Sequence, residues 1–221
     1  MALKEDFIAL LERKDKAGCI EAVTSALSRG QIDIVTLYDD VLRQALIGDF
    51  CKEDEGGSYC IWEEHIRTSI VRTVIENCYP YVIKERKERY GAANGEKVLV
   101  VCPTEEYHEI GARMVADFFD LCGYDVTFIG ANTPQDELIE AITHIKPVFV
   151  AISVSNYYNL VAAKRTIDKV RKVRKRHKAL KFRIIVGGNA FKTNPDAAKE
   201  MKADIMLRNF DDIRRLSEGG G

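Results

Sequence analysis

KVLVVCPTEEYHEIG, residues 97–111, sets the apolar run VLVVCP (98–103) directly against a polar loop. A continuous apolar stretch of that length fits a strand buried on both faces rather than one with a solvent side. The pattern then alternates down the chain. The spacing predicts a helix over about 109–122, a strand over 125–129, a helix over 134–144, a strand over 148–153, a helix over 158–177, a strand over 182–186, a helix over 193–201 and a short strand over 204–207. Five strands alternating with helices imply a parallel sheet with right-handed crossovers, hence an open, doubly wound α/β domain.

Upstream of residue 92 the period is different. Phe7, Ile8, Leu10 and Leu11 recur at helical spacing, as do Ile20, Val23 and Leu27 up to a stop at Gly30. Asp33 reads as the cap of a third helix carrying Ile34, Leu37, Val41, Leu42 and Leu46. A long fourth helix spans 58–85, and the segment KEDEGGSY (52–59) before it has loop chemistry. The expected organisation is a four-helix bundle over 1–91, then a flavodoxin- or Rossmann-like five-stranded parallel sheet over 92–218.

The chain has 221 residues, 46% apolar and 30% charged, with a formal net charge of −1. That balance gives no general attraction to nucleic acid. The N-terminus MALKEDFIALLERKDK (1–16) lacks the apolar core of a signal peptide, and no run approaches the ~18 residues of a membrane span, so a cytoplasmic location is expected. Cysteines 19, 51, 60, 78, 102 and 122 form no CxxC pair and read as small reduced core residues. The basic stretch AAKRTIDKVRKVRKRHKALKFR (162–183) reads as the solvated face of a crossover helix, its charges recurring on several sides.

In open α/β sheets ligands sit beyond the carboxyl ends of the strands. The loop expected there after the first strand contains Glu106, His108 and Gly111 as E-x-H-x-x-G. A loop histidine can present an imidazole to a metal. A carboxylate two residues earlier can take the other ring N–H and fix the tautomer. Gly111 would let backbone approach a bulky ligand. Taken alone, the same residues read equally well as a surface histidine. The third strand, however, ends AISVSNYY (151–158), placing Ser153 and Ser155 at the same rim, and the fourth ends IIVGGNAF (184–191), placing Gly187 and Gly188 there. Separately these are a capping pair and a turn; at three successive strand ends they form a constellation.

That constellation resembles cobalamin-binding modules, in which a helical cap precedes an α/β domain carrying [DE]-x-H-x-x-G, a serine motif and a GG motif. The likeness runs over about residues 5–215. It implies a base-off, His-on cobalamin whose lower axial cobalt ligand is His108, supported by Glu106. The loop residues Glu106, Tyr107, His108, Glu109, Ile110 and Gly111 would contact the cofactor, with Gly111 under the corrin. Ser153 and Ser155 would line the slot for the nucleotide tail, and Gly187 and Gly188 would pass beside it. The serine motif departs mildly, reading S-V-S where Leu or Thr often follows.

Methyl-carrier members usually read D-x-H-D-I-G-K-N, whereas this chain has Glu106 for Asp and Ala112-Arg113 for Lys-Asn. The stretches at 106–119 and 123–134 look more like B12-dependent sensory regulators, including light-responsive ones. Those carry a Glu-His pair in the cap helix, matched by Glu64-His65, so His65 is implied as an upper axial ligand. At helical spacing His65 shares a face with Ile61, Trp62, Thr68 and Ser69; the plainer reading of the pair is a solvated polar surface. The tryptophan those regulators place some ten residues earlier falls here near Asp54; Trp62 is too close to replace it, and Phe50 is the nearest aromatic on the other side. The resemblance implies a sensor or signalling module without its own DNA-binding domain, working through a regulator or kinase. The alternative is a corrinoid protein carrying methyl groups between methyltransferases, as in an O-demethylase system; storage or delivery is a third. Adenosylcobalamin, methylcobalamin and hydroxocobalamin all stay open as the native form, as does a homo-oligomer. Catalysis by the chain alone and a nucleic-acid partner are not expected.

Overall fold

The computed structural model describes residues 2–47 and 61–219. Phe50, Cys51, the KEDEGGSY segment with the slot near Asp54, Cys60 and the last two glycines lie outside the described residues. The chain divides into two compact units, Met1–Glu85 and Arg86–Gly221.

The first unit is helical. α1 (Ala2–Glu12) buries Phe7 and Leu11, four residues apart and so on one face. α2 (Lys16–Ser28) starts where the Asp15 carboxylate accepts the Gly18 N–H at 2.9 Å, and ends before Gly30, whose φ of +66° suits glycine. Asp33 caps the next segment by accepting the Thr36 N–H at 2.8 Å. α3 (Ile34–Thr36) then passes through a π-helical stretch, Leu37–Leu42, into α4 (Arg43–Ala45). The wider winding buries Leu37, Tyr38, Val41 and Leu42 together. α5 (Ile61–Glu85) turns Ile70, Val71, Val74, Ile75, Cys78 and Val82 inward, and the Glu85 carboxylate accepts the Ile34 N–H at 2.9 Å.

The second unit is the expected α/β domain. Its five strands are β1 (Lys97–Pro103), β2 (Asp125–Thr133), β3 (Phe149–Ser153), β4 (Arg183–Gly187) and β5 (Ile205–Met206). All neighbours are parallel, in the order β2-β1-β3-β4-β5. α6 (Ile110–Leu121), α7 (Gln135–Ile145) and α8 (Leu160–Arg176) are the crossovers, with the short α9 (Asn189–Thr193) and α10 (Asp196–Glu200) between β4 and β5. Alternation along β1 sends Leu99 and Val101 into one core with Val150, Ile152, Ile184 and Val186, covered by α7 and α8. The other face is covered by α6, against which α11 (Phe210–Ser217) packs. Burial on both faces is why 98–103 reads as unbroken apolar sequence.

Beyond β2 running to Thr133 rather than 129 and the π-helical winding inside the expected third helix, three features differ from the sequence expectation. The helix expected over 193–201 is broken at Asn194-Pro195, where Asn194 leaves the helical region (φ −135°, ψ 79°), as a residue before proline tends to. α11 was not expected at all. Asn209 caps it by accepting the Asp212 N–H at 3.1 Å, but only Phe210 and Ile213 are buried, too few anchors to reveal a period. Finally, Arg165, Lys169, Lys172 and Arg176 line one groove beside α7, so part of the basic stretch does form a stripe.

Phe210 ties α11 to the sheet unit, its ring edge-on to Phe118 at 5.3 Å and to Tyr90 at 5.7 Å. Phe210→Ala is expected to lower stability by about 3 kcal/mol, the scale of a buried phenylalanine truncation. Urea denaturation followed by circular dichroism measures it; a loss under about 1 kcal/mol would show α11 to be dispensable.

Candidate functional site

β1 and β3 lie side by side, yet β1 connects outward to β2 and β3 connects the other way to β4. Their loops therefore diverge and leave a crevice at their carboxyl ends, the topological switch point. Glu106, on the β1 loop, spans it. The side chain is fully buried, and both oxygens are used. Oε1 accepts the His108 backbone N–H at 2.9 Å and lies 2.7 Å from His108 Nδ1. Oε2 accepts the backbone N–H groups of Ser155 at 2.8 Å and Asn156 at 3.0 Å, both on the β3 loop. Burial alone would raise the Glu106 pKa. Hydrogen bonds from the His108 ring, the Asn156 and His108 backbones and the Asn159 side chain outweigh it and hold the carboxyl at about 2.

An ionised carboxylate on Nδ1 assigns the ring proton to that nitrogen and the lone pair to Nε2. The His108 side chain is 53% exposed, so a ligand can approach the imidazole although its support is buried. Tyr107 beside it is exposed, and a Cβ built on Gly111 would meet nothing within 4 Å. One half-exposed imidazole, oriented by a buried anion and bordered by open surface, can serve as a single protein ligand to a metal.

The other expected residues have separable roles. Ile110 is buried as the first residue of α6, whereas the Glu109 carboxylate turns to β2 and accepts the Ala131 N–H at 2.8 Å. Ser153 is buried at the end of β3, opposite Gly187 in the register; Ser155 directs Oγ to the His108 carbonyl at 3.5 Å. Gly187 is half-buried and its carbonyl accepts the Val154 N–H at 2.9 Å. Gly188 has a demand of its own: at φ +102°, a Cβ there would fall 2.3 Å from the Val154 carbonyl oxygen. Glu64 and His65 belong to the helical unit, where they are exposed on the first turns of α5 with Ile61 and Trp62. Asn156 and Asn159 were not singled out from sequence; the only signal was the polar S-N-Y-Y-N run after a buried strand.

Because the Glu106 carboxyl sits near 2 rather than the ordinary 4.5, its contribution to stability is present above about pH 4.5 and is lost as pH falls toward 2. The displacement corresponds to about 3 kcal/mol. Urea denaturation of the cofactor-free protein across pH 2–7 should show Glu106→Gln weaker by about that amount at pH 7, with the two curves converging in acid. A constant gap would show that the ionised carboxylate is not what holds the loops.

The fold has a close counterpart in the monomethylamine corrinoid protein of Methanosarcina barkeri, with a TM-score of 0.77, 15% identity and coverage of 98% of this chain and 97% of that one. Among curated relatives, the HTH-type transcriptional repressor CarH of Myxococcus xanthus is 22% identical over 97% of this chain and 66% of its own length. CarA, a second HTH-type repressor from the same organism, is 28% identical over 41% of this chain and 29% of its own. The chain thus spans less than two thirds of either repressor. The methanol–corrinoid protein of M. barkeri is 24% identical over 90% of this chain and 71% of its own length. The model of the B12 binding domain matches residues 96–215, more than half of the chain and all five strands. The chain belongs to the B12 binding domain family.

Proposed function

We propose that the α/β unit holds cobalamin base-off, with His108 as the lower axial cobalt ligand. The observation that carries this is the Glu106–His108 pair: a half-exposed imidazole whose Nδ1 lies 2.7 Å from a buried, ionised carboxylate at the switch point. When bound, the group supplies a cobalt centre whose upper position exchanges an alkyl or solvent ligand. The protein's own residues orient the imidazole through Glu106, leave open surface at Gly111 for the corrin, and offer Ser153, Ser155, Gly187 and Gly188 as the lining of the tail slot. No helix among the described residues is long and apolar enough to cross a membrane.

In our reading the protein acts as a cobalamin-dependent signalling module, with adenosylcobalamin, methylcobalamin or hydroxocobalamin, and passes its state to a regulator or kinase. Support comes from the likeness to CarH across nearly the whole chain and from Glu64 and His65 exposed beside Ile61 and Trp62. We assign His65 as the residue that takes the upper position in one of two states, which makes the pair a two-state element. A second reading, a corrinoid carrier serving methyltransferases, is supported by the likeness to the methanol–corrinoid protein over 90% of the chain.

His108→Ala should remove the imidazole nitrogen splitting from the electron paramagnetic resonance spectrum of the Co(II) form while the fold survives. A mutant spectrum identical to the wild type would sink the ligand assignment. To separate the roles, the protein is loaded with adenosylcobalamin in the dark, illuminated, and followed by absorbance and size. A bis-histidine spectrum lost in His65→Ala, with a change of size or shape, supports the signalling module. Water alone on cobalt after illumination, or retention of methylcobalamin that a partner enzyme discharges to a thiol, favours the carrier.

A further inference from the structure

The histidine loop is held on a second side that the cobalamin reading does not use. Where Glu106 ties it to the β3 loop, the end of β2 ties it from the opposite flank. The Asn132 side-chain Oδ1 accepts the Glu105 N–H at 2.9 Å. The Asn132 backbone N–H in turn donates to the Glu106 carbonyl at 2.8 Å, and Thr104 Oγ1 donates to the Thr133 carbonyl at 3.0 Å. Both residues of the first contact sit in the left-handed region, Glu105 at φ +72° and Asn132 at φ +48°. Glutamate gains nothing locally there, whereas asparagine tolerates it. A loop residue and a strand-end residue adopting that conformation to meet each other is strain held by the contact between them.

We propose that Asn132 is a positioning residue for His108, its side-chain oxygen fixing the backbone of Glu105 and so the direction in which the next three residues leave β1. The chain turns at Pro103–Glu106, where the Glu106 N–H donates to the Pro103 carbonyl at 3.0 Å, and the segment from Glu105 to His108 is held at both ends. Glu106 accepts from His108 and from the β3 loop; Asn132 accepts from Glu105. With the Asn132 oxygen gone, the Glu105 N–H must find water, and the left-handed turn loses its partner. The Glu106 carboxylate then swings on a looser backbone, and the imidazole explores directions away from the cobalt. The inference rests on His108 being the ligand, but the clamp itself exists without the cofactor.

Two substitutions separate side chain from backbone. Asn132→Gly accommodates the left-handed φ and removes the acceptor together with the rest of the side chain; Asn132→Asp keeps an acceptor oxygen at the same position. Amide hydrogen exchange of the cofactor-free protein reads the clamp, and the nitrogen splitting of the Co(II)-cobalamin form reads the ligand. In Asn132→Gly the Glu105 and His108 amides should exchange about five- to tenfold faster, the scale of one lost hydrogen bond, and the histidine-bound fraction should fall several-fold. Asn132→Asp should stay near wild type in both. Wild-type exchange and splitting in Asn132→Gly would overturn the proposal, as would an Asn132→Asp protein as impaired as the glycine variant. If the wild type shows no nitrogen splitting, the ligand assignment fails instead, and the exchange data still decide whether Asn132 holds the loop.

Discussion

A carboxylate buried without compensation is among the costliest groups a fold can contain. The site is organised around the way Glu106 avoids that cost. Its bonds come from backbone N–H groups, the His108 ring and the Asn159 side chain, on two loops about fifty residues apart in sequence. Those loops meet only because β1 and β3 are neighbours whose connections leave in opposite directions. The strand order therefore creates the crevice and also supplies the donors that let a charge be buried at its base. With the carboxylate ionised there, the tautomer of His108 follows, and a half-exposed imidazole acquires a fixed orientation without being packed into a core.

The neighbouring rim depends on the same arrangement one layer out. Ser155 and Asn156 can aim their N–H groups at Glu106 because Val154 is held by a hydrogen bond to the Gly187 carbonyl, while the Val154 carbonyl accepts from Ala190. That contact brings backbone against backbone so closely that Gly188 has no room for a Cβ. The GG motif thus has a structural duty before any ligand is considered: it seats the β3 loop. Glu109 and Asn132 do the corresponding work toward β2. The histidine loop is thus braced from both flanks by the rims of its neighbouring strands.

What could be read in the sequence follows the same physics. The apolar run at 98–103 announced a strand covered on both faces, because that is a local pattern; the E-x-H spacing alone read equally well as a surface histidine, and it took the serine and glycine strand ends to favour a carboxylate–imidazole pair. The π-helical winding of Leu37–Leu42 is not a local pattern; it replaces one hydrogen-bond register by another so that four side chains can be buried together. α11 was hidden because Phe210 and Ile213 are its only buried anchors in a charged segment. Asn132 was invisible for a further reason. An asparagine in G-A-N-T-P reads as ordinary turn chemistry, and its significance appears only when the end of β2 meets Glu105 across the sheet.

Glutamate rather than aspartate at 106 now has a physical meaning. The carboxylate must receive His108 on one oxygen and the β3 loop on the other, so it has to stand between the loops rather than against its own. Glutamate extends one methylene further than aspartate toward Ser155 and Asn156. An aspartate at the same Cα could keep the imidazole partner only by drawing the loops together or by giving up one of the β3-loop N–H groups. Losing such a donor inside a buried site carries the full desolvation penalty of the freed group. The residue that departs from the methyl-carrier motif is thus matched to the loop spacing of this chain, and an aspartate there would demand compensating movement in the β3 loop, not merely a shorter reach to the histidine.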